Sequence, residues 1–288
     1  MKLIIILLAF GMERFLSLGQ YMKRFSWFEA YLRWLAPTLE KTTGWGKPLQ
    51  LACVILPIPV IAGVLISLCS YLLFGILGFI LGVIVLLYCL GPEDLFEQVH
   101  RYTTACGSLD LDEARDVAAH IEGIIPPVGT GEEEVELNHR NVVEAVFIQS
   151  NDRYFAVLFW FIVLGPFGTL LYRSVSILSR NKDHSLAHSA ERFRRILDWL
   201  PIRLVTFSYL LMGHFVTGFR AWWDRILDGL NSNDELLMTA GFASSSLPSD
   251  EETILEPSDV TRALQLVERA LYVWAVVIAL VTLGGWLF

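Results

Sequence analysis

Residues 49–90 read LQLACVILPIPVIAGVLISLCSYLLFGILGFILGVIVLLYCL, with no Asp, Glu, Lys, Arg or His among them. A membrane-spanning helix needs roughly 20 mostly apolar residues. This run is about twice that length, so it predicts two spanning helices joined in a hairpin, with the turn near residues 67–71. Pro57, Pro59 and Gly63 lie in its first half. Gly75, Gly78 and Gly82 fall on nearly one face of the second half. Small residues so spaced let helix backbones approach closely in lipid.

Three further apolar runs extend the pattern. Residues 155–172 form one, broken by Gly165-Pro166-Phe167-Gly168, and residues 270–288 form another. Residues 202–219 are weaker, because they hold Arg203 and His214; they span, dip in and return, or lie at the interface. Residues 1–11 are apolar but short and lack a small-residue cleavage site, which predicts an embedded or interfacial helix. The whole chain fits this reading. Of its 288 residues 54% are hydrophobic and 18% charged, and its mean hydropathy is +0.51. A soluble domain averages about 25% charged residues. The predicted fold class is all-α: a polytopic integral membrane protein with an acidic helical insertion and amphipathic or re-entrant helices, and its expected partner is the lipid bilayer. The net charge of −8 leaves no basic domain to bind nucleic acid. Four cysteines without a Cys-x-x-Cys pair exclude a disulfide scaffold or a zinc ribbon; Cys53, Cys69 and Cys89 are expected as small packing residues.

Charge divides the chain into segments. Residues 13–48 carry six Lys/Arg and three acids, and residues 173–203 carry seven and three. Residues 91–152 carry fourteen acids and three arginines, and residues 228–269 carry nine and two. The expected organisation is therefore a short apolar helix and basic segment (1–48), the hairpin (49–90), an acidic helical subdomain (91–152), a core with a broken membrane helix and a basic helix (153–227), an acidic mobile linker (228–269) and a last span (270–288). The positive-inside rule places both basic segments on the cytoplasmic side. A single crossing at residues 155–172 would separate them, and a re-entrant path at the Gly-Pro break would not. Within the acidic subdomain, Asp110 is a candidate N-cap for a helix over residues 109–125, stopped by Pro126-Pro127. Residues 128–136 read as a Gly- and Glu-rich loop. A second helix is expected from about Glu136, running into the membrane near Phe155.

Ionisable residues gather beside the membrane runs: Glu144, Asp152 and Arg153 before the broken one, Tyr172 and Arg173 after it, then Arg194, Arg195, Asp198 and Arg203. Charge at membrane depth is costly and usually faces a cavity or a partner. Glu144 and Asp152 are eight apart, which on a continuous helix puts both carboxylates on one face, suited to Mg²⁺. Arg173 and Arg203 are of a type that grips phosphate or carboxylate. The opposing reading is interfacial ion pairs that lock helix ends together. His184 and His188 stand four apart without an evident third metal ligand. Gly129-Thr130-Gly131 lacks the lysine of a phosphate loop.

In order and spacing, Glu144, Asp152, Ala156, Leu158-Phe159-Trp160, Gly165-Pro166, Gly168, Tyr172-Arg173 and Leu200-Pro201-Ile202-Arg203-Leu204 resemble the CobD/CbiB-type membrane proteins, which make an amide bond to the aminopropanol arm of cobalamin precursors. Within that group, Glu13-Arg14-Phe15, the acidic loop, Asn151-Asp152-Arg153-Tyr154-Phe155 and Leu197-Asp198-Trp199-Leu200 are most similar to the AmpE family. Those are inner-membrane proteins encoded beside the AmpD amidase in the β-lactamase induction operon. The synthase pattern departs at several points. Its Asn-Thr-Leu-Asp run is Ser176-Ile177-Leu178-Ser179 here, and its paired aspartates are Arg194-Arg195. The resemblance therefore implies a multi-pass inner-membrane sensor or signalling modulator tied to peptidoglycan recycling and β-lactamase induction, with a functional link to the AmpD amidase. The expected ligand is an anionic small molecule, a muropeptide or a nucleotide, bound by Glu144, Asp152, Arg153, Tyr172, Arg173, Arg194, Arg195, Asp198 and Arg203. The alternative it implies is a divergent amide-forming enzyme that uses ATP and Mg²⁺.

Overall fold

A computed structural model describes residues 5–6, 28, 30–35, 46–71, 76–90, 95–123, 138–181, 184–227, 229–248, 250 and 253–283. Among these residues the secondary structure is helical and contains no strand. The chain is an all-α membrane protein: three of its described helical stretches, Lys47–Cys69, His139–Arg180 and Pro257–Val281, are long and apolar enough to cross a bilayer. The chain divides into two compact units. One comprises Met1–Pro92, Arg153–Trp199 and Val277–Phe288, the other Glu93–Asp152 and Leu200–Val276.

The first unit is built on the apolar stretch. Helix α1 (Lys47–Ile55) and helix α2 (Pro57–Tyr71) meet at Leu56. Pro57 has no N–H to give, but Leu56 N still donates to Ala52 O and Val60 N to Leu56 O, so the path bends little. Helix α3 (Ile76–Cys89) follows. The expected turn at 67–71 is therefore helical, and the connection falls at residues 72–75, outside the described set. Ser67 and Ser70 are the only polar aliphatic side chains there, too few to stop an apolar helix. Cys89 is buried, as a packing residue should be, whereas Cys53 is exposed on the apolar surface.

Helix α7 (Ala156–Arg180) packs against this pair. Gly63 lies 3.8 Å from the Phe167 ring, and Gly82 lies 4.0 Å from Pro166, measured from a Cβ built on each glycine. The Gly-Pro break is real. Gly165 has φ 66° and ψ −153°, a region L side chains avoid, and Thr169 Oγ1 donates to the Gly165 carbonyl at 3.2 Å. A Cβ on Gly168 would lie 2.6 Å from the Trp160 carbonyl oxygen. In a straight helix positions eight apart are about 12 Å apart, so the chain bends sharply here.

The second unit is an acidic helical bundle. Helix α4 (Leu95–Gly107) precedes helix α5 (Leu111–Glu122). Asp110 caps α5 by accepting from Glu113 N at 3.1 Å. The helix ends at Gly123, in the left-handed conformation, three residues before the expected proline stop. Helix α6 (His139–Ser150) starts at the cap Asn138, later than the expected Glu136, and runs into a π-helical turn, Asn151–Phe155. The loop at 128–136 lies outside the described residues.

Helix α8 (Ala187–Met212) continues through Pro201 and joins two stretches that composition separates. Helix α9 (Phe215–Arg225), a 3₁₀ turn (Leu230–Ser232), helix α10 (Asn233–Ser245) and helix α11 (Pro257–Leu283) complete the chain. Helix α10 corrects the expected mobile linker. Leu236, Leu237, Ala240 and Phe242 are buried, and Gly241 lets the Phe147 ring approach within 2.7 Å of where a Cβ would stand. Phe147 also meets Tyr209 and Phe242 at centroid separations of 5.6 and 6.1 Å, forming the aromatic centre of this unit.

Candidate functional site

The sequence-predicted residues fall in both units. Arg153, Tyr172, Arg173, Arg194, Arg195 and Asp198 belong to the first; Glu144, Asp152 and Arg203 belong to the second. The first set contains the tightest cluster. Asp198 is 2% exposed. Its Oδ1 accepts from the Tyr172 hydroxyl at 2.8 Å, and its Oδ2 accepts from Arg194 Nη1 at 3.0 Å. Arg194 also forks onto Glu191, with Nε to Oε2 at 2.9 Å and Nη2 to Oε1 at 3.1 Å. Arg195 Nε reaches the same Glu191 Oε1 at 3.0 Å.

Helical spacing produces this ladder. Positions 191, 194, 195 and 198 on α8 are three and four apart, so their side chains share one face. Tyr172 then ties that face to α7. Burial favours the neutral form of Glu191, but the hydrogen bonds and charges of Arg194 and Arg195 outweigh it and hold its carboxyl below the usual range. Glu191 was not among the sequence candidates. The 191/194/195/198 spacing was the signal that could have found it.

The donor set around Asp198 does not suit magnesium. Magnesium asks for open carboxylate oxygens. Here both oxygens of Asp198 and both of Glu191 already accept from tyrosine or arginine. Among the described residues no group of three His, Cys, Asp or Glu side chains is arranged to hold a metal. His184, one of the expected i, i+4 pair, uses Nδ1 to accept from Leu186 N at 3.2 Å, capping the turn before α8.

Arg203 bonds to other segments of its own unit. It is 7% exposed; its Nε donates to the Ile226 carbonyl at 2.8 Å, and its Nη1 donates to Asn233 Oδ1 at 3.2 Å. It thereby fastens the connection between α9 and α10 to α8. Neither Ile226 nor Asn233 is close to Arg203 in sequence, so spacing could not have revealed them. Asp152 and Arg153 are buried side by side in the π-helical turn. Asp152 is the second residue of that turn, and Asn151 N still donates to Phe147 O, so the register shift of a π turn falls on the residues after it. Glu144 is half-buried on α6. Arg173 is buried on α7, after the bend.

The sequence matches over residues 1–288 the family described as "Regulatory signalling modulator protein AmpE". It is 25% identical to "Protein AmpE" of Shigella flexneri across 99% of both chains. It is 29% identical to "Cobalamin biosynthesis protein CobD" of Chromobacterium violaceum, over 69% of this chain and 70% of that one. "Cobalamin biosynthesis protein CobD" of Stutzerimonas stutzeri is likewise 29% identical, over 74% of this chain and 75% of its own. No solved structure matches.

Proposed function

The chain belongs to the AmpE family, and on that basis we propose that it is an inner-membrane signalling modulator which senses an anionic product of peptidoglycan recycling and couples it to β-lactamase induction, in functional partnership with the AmpD amidase. The carrying observation is the Arg194–Arg195 pair beside Asp198 and Glu191. A carboxylate or phosphate that reached this face would compete with Asp198 and Glu191 for the two guanidinium groups. Guanidinium groups are well matched to either anion, because their planar fork donates two parallel hydrogen bonds. Release of Arg194 would change the charge facing Tyr172, and hence the tie between α7 and α8. Binding and helix geometry are thus linked through one hydrogen-bonded chain. Arg153 and Arg173 are the further cations proposed for this site, from the same unit.

The test is thermal stability of the purified full-length protein against anhydro-muropeptides, Mg·ATP, Mg·GTP, a cobinamide precursor and anionic lipids, with Arg194→Gln and Arg195→Gln alongside. A ligand at about 100 times its Kd adds about 2.7 kcal/mol when it binds only the folded state. A muropeptide shift that both variants abolish supports the sensor reading. A shift from Mg·ATP together with the cobinamide precursor, and none from muropeptide, replaces it with the amide-forming activity that the CobD relatives suggest. No shift from any compound removes the small-ligand reading altogether.

A further inference from the structure

Helix α9 presents rings to the outside as well as the inside. On its inner face Trp222 Nε1 donates to Thr206 Oγ1 on α8 at 2.8 Å. On its outer face Phe215, Phe219 and Trp223 stand four apart and stack, with centroids 5.3 and 5.8 Å apart and planes within 30°. Val216 beside them is 86% exposed and Trp223 is 63% exposed. Leu227 extends the same stripe past the helix end, 88% exposed. Contiguous exposed apolar side chains on one face mark a surface that is covered by something.

The occupant is indicated by the surface that this face adjoins. Phe207 of α8 lies against Trp222 with centroids 5.7 Å apart, and Leu204 and Leu211 carry the exposed apolar stripe along α8. The Leu204–Leu211 face of α8 also carries Ser208, whose Oγ accepts from Trp274 Nε1 of α11 at 2.9 Å. Helix α11 is one of the helices long and apolar enough to cross the bilayer. Helix α9 therefore packs on a helix that is itself fixed to one at home in lipid. The flanking charges, Arg220 and Asp224, have opposite signs and give no net attraction to a charged partner. Tryptophan and its neighbours gain most at the headgroup level, where a flat ring body meets acyl chains and a polar edge stays wet.

We propose that α9 is an interfacial helix whose Phe215–Phe219–Trp223 ring stack is seated at the headgroup–acyl boundary of the bilayer. Nitroxide spin labels report this directly. They are attached at Val216→Cys, Trp223→Cys and Leu227→Cys in the full chain, with Cys53, Cys69, Cys89 and Cys106 changed to alanine, in phosphatidylcholine–phosphatidylglycerol nanodiscs. Labels at Asp112→Cys and Ile254→Cys, both highly exposed on polar segments, give the aqueous reference, and Val276→Cys gives the lipid reference. The expected result is oxygen collision above that of the water-soluble nickel reagent at all three α9 positions, at a depth of about 5–10 Å. Nickel collision equal to the aqueous reference overturns the proposal. Low collision with both reagents, together with dipolar broadening between labels on separate molecules, also overturns it and identifies a second copy of the chain as the occupant.

Discussion

Asp198 is the residue on which the cluster turns, because it is nearly inaccessible to water yet accepts from two different elements. A hydrogen bond to a buried charged group contributes about 1.5–3 kcal/mol. Asp198→Asn and Tyr172→Phe are each expected to lose about that much, measured by thermal or denaturant unfolding in detergent. The double variant should lose less than their sum, since Asp198→Asn takes the charge from the bond that Tyr172→Phe removes. Strict additivity would mean that the Tyr172–Asp198 bond contributes nothing. Glu191 adds a dependence on pH. Its folded carboxyl is held below the ordinary value by Arg194 and Arg195. The stability it contributes is therefore fully present above the unfolded pKa, about 4.3, and is lost as pH falls through the lower folded value. Glu191→Gln should flatten the fall in melting temperature on acidification from pH 5, with little change in slope between pH 6 and 8. An unchanged acid limb would show that the ladder does not sense protonation. Arg203 marks the boundary of what residue types reveal. Its identity suggests a ligand grip, and its partners include a backbone carbonyl and an asparagine from a distant segment, which no spacing foretells.

The bend in α7 depends on two glycines with different reasons for being there. Gly165 supplies a positive φ, and Gly168 supplies room beside the Trp160 carbonyl. At Gly168 a methyl group would meet both that oxygen and Leu164 Cβ at 2.6 Å, so backbone must move. Gly168→Ala is expected to cost about 1–3 kcal/mol, read as a lower melting temperature. Alanine at Gly107, where a Cβ would meet nothing within 4 Å, serves as the neutral control. Equal effects at the two positions would show that the bend tolerates opening. This element was legible in the sequence, because Gly-Pro inside an apolar run leaves few alternatives to a break. The hairpin turn and α10 were not. The turn was misplaced because nothing local distinguishes Ser67–Tyr71 from the apolar residues around it. Helix α10 was hidden because its polar composition resembles a linker, while the ring that packs on its Gly241 and Phe242 is Phe147, far away in sequence. The Asp110 cap was readable because its signal lies within three residues.

The charge segregation seen along the sequence tracks the two units. The first unit carries 14 Lys/Arg against 6 Asp/Glu, a net of +8; the second carries 8 against 24, a net of −16, and together they give the chain's −8. Basic segments near membrane helices are retained on the cytoplasmic side, and both basic stretches, 13–48 and 173–203, lie chiefly in the first unit. Between Arg33 and Arg192 the chain passes through α1–α2, α3 and α7. If α1–α2 and α3 each cross once, Arg33 and Arg192 share a side only when α7 enters and leaves by the same face, which a sharp bend at Gly165 permits. Arg33 and Arg192 are both exposed, so cysteine at either position tests this in whole cells of a Gram-negative host whose outer membrane has been permeabilised. Both cysteines, each in the background lacking the native four, should resist a membrane-impermeant maleimide until the inner membrane is opened. Labelling of position 192 alone in intact spheroplasts would mean that α7 crosses fully despite its bend. The basic helix α8 would then be held on the far side by its own ion pairs and by Tyr172, against the bias of its charge.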